Sequence, residues 1–188
     1  MTPTAGHAAA RPWRLAVAAA VAITGIALAL GVTGCSSSEQ DRPHYAVPTD
    51  VCGVPMPSPV LEPLLPSGKK ITSQAKDTGG LHACKVLVDG RVSVSAAVER
   101  WEHGTTFQKV MAATPGLEEQ HHDDDHAPSA VSDTTGLSRV RCSASKNTAG
   151  EEVFATIRAE NSSPGADALR KAVTAYADGA ADTKACRS

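Results

Sequence analysis

The densest run of potentially reactive side chains is Glu118-Glu119-Gln120-His121-His122-Asp123-Asp124-Asp125-His126. Three imidazoles and five carboxylates fall within nine residues. Borderline divalent ions such as Zn²⁺, Ni²⁺ and Cu²⁺ take ligands of this kind. His121, His122, Asp124 and His126 are therefore the candidate metal ligands. On a helix His122 and His126 would share a face, but three consecutive aspartates favour a loop, and a solvated acidic loop is the commoner fate of such a run. Ser67-Gly-Lys-Lys70 and Ser143-Ala-Ser-Lys146 fit Ser-x-x-Lys in form. The further elements that penicillin-interactive enzymes require are missing, and both matches read as turns. Asp133-Thr134-Thr135-Gly136 also reads as a turn before a strand. No Gly-x-Ser-x-Gly, His-Glu-x-x-His or phosphate-cradling Gly-Lys-Ser/Thr loop occurs. No catalytic set and no cofactor follow from these patterns, so a non-enzymatic protein is expected, ahead of a small hydrolase with an unrecognised site.

Cysteines carry the clearest chemistry. Of the five, Cys35 ends Val32-Thr33-Gly34-Cys35, an apolar residue and two small ones before a thiol, the pattern of a bacterial lipobox. The uncharged run Leu15–Leu30 precedes it, with Arg11 and Arg14 upstream, as n- and h-regions of an export signal. Separated arginines favour the general secretory route. Residues 1–34 thus read as a lipoprotein signal peptide and Cys35 as a diacylated N-terminus; two acyl chains anchor durably where one does not. Residues 35–49 read as a tether, of which the fourteen from Ser36 to Thr49 would span about 20 Å as a coil. The expected location is the outer face of the cytoplasmic membrane.

The remaining cysteines, Cys52, Cys84, Cys142 and Cys186, are even in number in an exported chain and read as two disulfides with three possible pairings. Cys52–Cys84 and Cys142–Cys186 are favoured, each closing a loop within one half and tying a helical segment to a strand. Each contributes roughly 3–4 kcal/mol by chain entropy. No Cys-x-x-Cys points to zinc.

Lys and Arg number 18 and Asp and Glu 20. Only Arg11 and Arg14 precede Cys35, so the remainder carries sixteen basic and twenty acidic residues, net −4. Without a basic patch, nucleic acid is excluded as a partner. Aromatics are scarce, so Trp101 and Phe107 are assigned to packing before a binding patch. His44, His82 and His103 are scattered and read as surface or packing residues.

The elements that must position these groups form one domain over 50–188. Val60–Leu65 is a short helical segment opened by Ser58-Pro59. A linker rich in Gly, Ser and Lys follows. Cys84–Val88 and Val92–Val98 alternate about Asp89-Gly90, a hairpin signal. A two-residue turn would place the valines of the two strands on opposite faces, so a shared core requires a bulge or an odd loop. Thr106–Thr114 is a helix with Phe107, Val110 and Met111 on one face, and Thr105 and Gln108 at capping-box spacing. Leu137–Ser145 and Glu151–Glu160 form a second hairpin around Lys146–Gly150. Ser163-Pro164 opens a C-terminal helix burying Leu169, Ala172, Val173, Tyr176 and Ala180. The expected class is α+β, an antiparallel sheet of two hairpins packed with two or three helices and cross-linked by two disulfides.

Tyr45-x-x-Pro48, Val51-Cys52-Gly53-Val54-Pro55, Leu64-Leu65-Pro66-Ser67-Gly68-Lys69-Lys70 and the hairpin opened by Cys84 together resemble small secreted lipoproteins of actinobacteria, largely of unknown function. Some of these look like two-disulfide extracellular sensor domains of receptor kinases. The lipobox, the expected disulfides and the missing catalytic set point to a cell-envelope binding or accessory module. Its partners would be the membrane, through the lipid on Cys35, and an envelope protein, glycan or lipid ligand. The resemblance brings no catalytic residues. The alternative function is a metal- or small-ligand-binding lipoprotein that uses residues 118–126.

Overall fold

A computed structural model describes residues 43–117, 122–123 (backbone only), 128–143, 147 and 150–187. The signal segment, Cys35, His121, Asp124 and His126 lie outside the described residues, as does the side chain of His122.

Strands β1 (Asp50–Val51) and β2 (Val54–Pro55) form a small hairpin, followed by α1 (Ser58–Leu61) and a 3₁₀ turn, Glu62–Leu64. Then come β3 (Ile71–Thr78), β4 (Leu81–Val88), β5 (Arg91–Trp101) and α2 (Phe107–Ala113). Strands β6 (His122–Asp123), β7 (Ser129–Val131), β8 (Thr135–Arg139) and β9 (Glu152–Ala159) precede α3 (Ala166–Ala180) and a 3₁₀ turn, Lys184–Cys186. The seven strands β3–β9 make one sheet in the order β3-β4-β5-β9-β8-β7-β6, antiparallel throughout. The class is α+β with two disulfides, Cys52–Cys84 and Cys142–Cys186, the pairing favoured from the sequence. Cys52 departs from expectation in one respect: it sits in the β1–β2 turn, not a helical segment.

The first hairpin resolves the valine problem by a bulge. Val88 pairs with Arg91 across Asp89-Gly90, but the register shifts between Val86 and Leu87, so Val86 faces Val94 and Ser93 is the extra residue. Val86, Val88, Val94 and Val98 therefore all point into the core. Asp89 and Gly90 both have positive φ, as the right-handed twist of a two-residue hairpin demands. The Asp89 carboxylate also accepts from the amides of Lys69 (3.1 Å) and Lys70 (2.9 Å), which explains Ser67–Lys70 as a turn held by the β4–β5 turn.

Strand β3 replaces the expected linker. It is an edge strand exposed along seven of its eight residues, so it shows no apolar alternation. Its partner is set by the two-residue turn Gly79-Gly80, again with positive φ at both positions.

The sheet has two differently covered faces. Val153, Ala155 and Ile157 of β9 belong to the main core with α1, α3 and the β1–β2 segment. Phe154 points the other way, with Leu137 and Ala130, beneath Phe107 and Val110 of α2. Helix α2 starts one residue later than the capping-box spacing suggested: Thr106, not Thr105, caps it, accepting from the Lys109 amide at 3.3 Å. Helix α3 buries Leu169, Ala172, Val173, Tyr176 and Ala180 as expected. It is entered through Gly165 at φ +89° rather than through a Ser163 cap. It lies close on β8 because Gly136 has no side chain: a Cβ there would stand 3.0 Å from Cβ of Val173.

Packing begins before Asp50. The His44 amide donates to Gly68 O (3.0 Å), Tyr45 Oη to Pro66 O (2.6 Å), and Ser58 Oγ to Val47 O (3.0 Å). Residues 44–49, assigned to the tether by composition, are thus built into the fold.

Candidate functional site

The two-residue turn at Gly79-Gly80 makes Asp77 and His82 a directly opposed cross-strand pair. Their side chains meet: His82 Nδ1 lies 2.7 Å from Asp77 Oδ1. The other ring nitrogen, Nε2, is 3.1 Å from the carbonyl oxygen of Cys52. Both partners only accept, so the ring donates both bonds together only when each nitrogen carries a proton. Lys184, in the C-terminal 3₁₀ turn, donates to Asp77 Oδ2 at 2.8 Å. The Lys184 ammonium, and after it His82, hold the Asp77 carboxyl below its ordinary range. Two disulfides bring these segments together. Cys52–Cys84 pins the β1–β2 turn to β4, and Cys142–Cys186 pins the C-terminal turn to the segment after β8.

This line of charge divides two shallow cavities. One, about 290 Å³, is lined by Asp77, Gly80, Leu81, Arg100, Lys184 and Arg187 among others. The second, about 480 Å³, is lined by Cys52, Val54, Ala75, His82, Asp182 and Thr183 among others. Arg100 is itself fixed, donating from Nη1 to Arg187 O (2.9 Å) and lying 3.6 Å from the Glu151 carboxylate.

Chemically the cluster is an imidazole–carboxylate pair without a nucleophile. Among the described residues no hydroxyl bonds to His82, and Cys52 and Cys84 are joined to each other. The side chains of Asp77 and Lys184 are 53% and 70% exposed, so their ion pair is of the solvated, weakly stabilising kind. The cluster thus acts as a tie between three segments and as the wall of two cavities.

Of the residues singled out from the sequence, the four cysteines are brought together in their pairs. His103 bonds through Nδ1 to Gly150 O at 2.9 Å. Trp101 packs partly against the second core and donates to Glu99 (3.1 Å). His82 is the functional candidate that composition missed, and Gly79-Gly80 was the signal that would have paired it with Asp77. Among the described residues no group of three or more His, Cys, Asp or Glu side chains could hold a metal ion. No protein-family model, curated protein or solved structure matches this chain.

Proposed function

We propose that the protein is a lipid-anchored cell-envelope module that binds or assists a partner outside the cytoplasmic membrane and catalyses no reaction. The observation that carries the reading is Val32-Thr33-Gly34-Cys35, directly after an uncharged run of export-signal length. The two disulfides support an oxidising compartment. The candidate acid–base pair, His82 with Asp77, has both ring nitrogens engaged in holding segments together, which favours a binding role over a catalytic one. The likeness to small actinobacterial lipoproteins belongs to the same reading.

The test is Cys35→Ser in the full chain expressed in an actinobacterial host fed a labelled fatty acid. The native chain should carry label and sediment with membranes. The variant should lose the label and appear in the soluble fraction. Continued labelling of the variant would refute the anchor.

A further inference from the structure

Among the described residues, helix α2 packs on the β7–β9 end of the second sheet face, and the strip beside it across β4, β5 and β9 forms an open floor. Across that floor the register aligns four polar side chains in one row: Lys85 opposes Ser95, Ser95 opposes Arg158, and Arg158 opposes Thr135. Opposed residues of an antiparallel sheet point to the same side, with strands about 4.8 Å apart. Lys85 and Arg158 therefore stand on backbones about 10 Å apart, with the small Ser95 between them. The next row is Ala83, Ala97 and Thr156, a flat strip of small side chains.

These residues line a cavity of about 300 Å³, walled by Thr114 and Pro115 at the end of α2 and by Glu160. The Arg158 guanidinium is held against that wall, donating from Nη2 to Pro115 O at 2.6 Å. Thr135, which also lines the cavity, is only 2% exposed, yet its Oγ1 has no hydrogen-bond partner among the described residues. A buried hydroxyl without a partner is costly, and a ligand hydroxyl reaching it would relieve that cost.

We propose that this row binds a small hydroxylated anion, a sugar acid or sugar phosphate. Its charged group sits over Ser95 between Lys85 and Arg158, its carbon face lies on Ala83 and Ala97, and a hydroxyl reaches Thr135. Among the described lining residues, two cations against one carboxylate, that of Glu160, select for negative charge. The low floor at Ser95 and the alanines leaves room for a ring. This ligand class rests on the binding-module reading. The titration below tests the row, whereas membrane retention tests the anchor, so the two can fail separately.

The experiment titrates the full chain, purified in detergent, with glucuronate, glucose 6-phosphate and neutral glucose, by calorimetry and by amide chemical shifts. At least one anionic probe should saturate below about 10 mM, shifting the amides of Lys85, Ser95 and Arg158. The two anions distinguish a carboxylate from a phosphate. Glucose should bind about ten-fold more weakly or not at all. Lys85→Gln, at an exposed position, should weaken the anion roughly three- to ten-fold, and Ser95→Leu, which fills the floor, should abolish the response. The proposal is overturned if neither anion saturates, if glucose binds equally well, or if Lys85→Gln binds like the native chain with an unchanged spectrum elsewhere.

Discussion

Gly179 in the last turn of α3 meets the backbone of β2. A Cβ added there would collide with the carbonyl oxygen of Pro55, and would stand 3.1 Å from its carbonyl carbon and 3.3 Å from Cγ1 of Val54. Helix propensity alone predicts that Gly179→Ala stabilises the chain by about 1 kcal/mol. The contact predicts the opposite. To reach ordinary van der Waals separation, β2 must retreat by more than about 1 Å, and what must move is main chain, not a flexible side-chain end. The β1–β2 turn is held to β4 by Cys52–Cys84, and the amide of Met56 is bonded to Thr49 O at 2.9 Å. Overpacking against such an obstacle costs about 1–3 kcal/mol, at its upper end here. After the helical gain, the net loss is about 1–2 kcal/mol, a drop of roughly 3–6 °C in Tm. Urea denaturation of the oxidised chain measures it, with Thr174→Ala, on the exposed side of α3, as a control expected within about 0.5 kcal/mol of the native chain. Repeating Gly179→Ala with Cys52 and Cys84 both changed to Ser adds a second check. With the cross-link cut, β2 can yield, so the penalty should shrink. A Gly179→Ala chain as stable as the native one, or more so, would show that the packing of α3 on β2 is not as described.

Three further outcomes follow from the packing and charge. Phe154→Ala should cost about 3–5 kcal/mol in denaturant stability, because Phe154 is 1% exposed and carries the second core under α2; a loss under about 1 kcal/mol would place α2 elsewhere. Tyr176→Phe should leave stability unchanged or raise it by up to about 1 kcal/mol, since Tyr176 Oη is buried with no hydrogen-bond partner among the described residues; a clear loss would reveal a partner for it. The Asp77 carboxyl is held below its ordinary range by Lys184 and His82, so its contribution is fully present above the ordinary carboxylate pKa of about 4 and is lost as pH falls through the depressed value. The stability gap between the native chain and Asp77→Asn, measured at intervals from pH 7 to pH 2, should therefore close at the acid end; a gap that widens on acidification would refute the Lys184–Asp77–His82 tie.

What could be read from the sequence divides along local and non-local lines. The valine rows around Asp89-Gly90 required a bulge or an odd loop, and the chain takes the bulge, at Ser93. Val153, Ala155 and Ile157 announced an inward face by alternation alone, as did the stripe from Leu169 to Ala180. Strand β3 was illegible because an edge strand open to water needs no apolar period; its only marks were Ile71 and the paired glycines. Capping spacing at Thr105 was ambiguous by one residue because Thr106 offers the same hydroxyl. Neither ligand-sized site could be read. Asp77 meets His82 only through β3, and the polar row exists only through β5 pairing with β9, whose residues lie about sixty positions apart in the chain.

The point at which the chain enters the fold gives it a near end and a far end. His44 and Tyr45 are fastened beside Gly68 and Pro66, next to the turn at Asp89. From there β4 runs back eight residues to Gly79-Gly80, a reach of about 26 Å. The chain thus joins the hairpin at its Asp89 end. The Asp77, His82 and Lys184 cluster then stands a full strand length further out, beyond the Debye length of about 8 Å at physiological salt. Its charges are therefore screened from those at the point of entry, and the two ends of the hairpin can meet different surroundings independently.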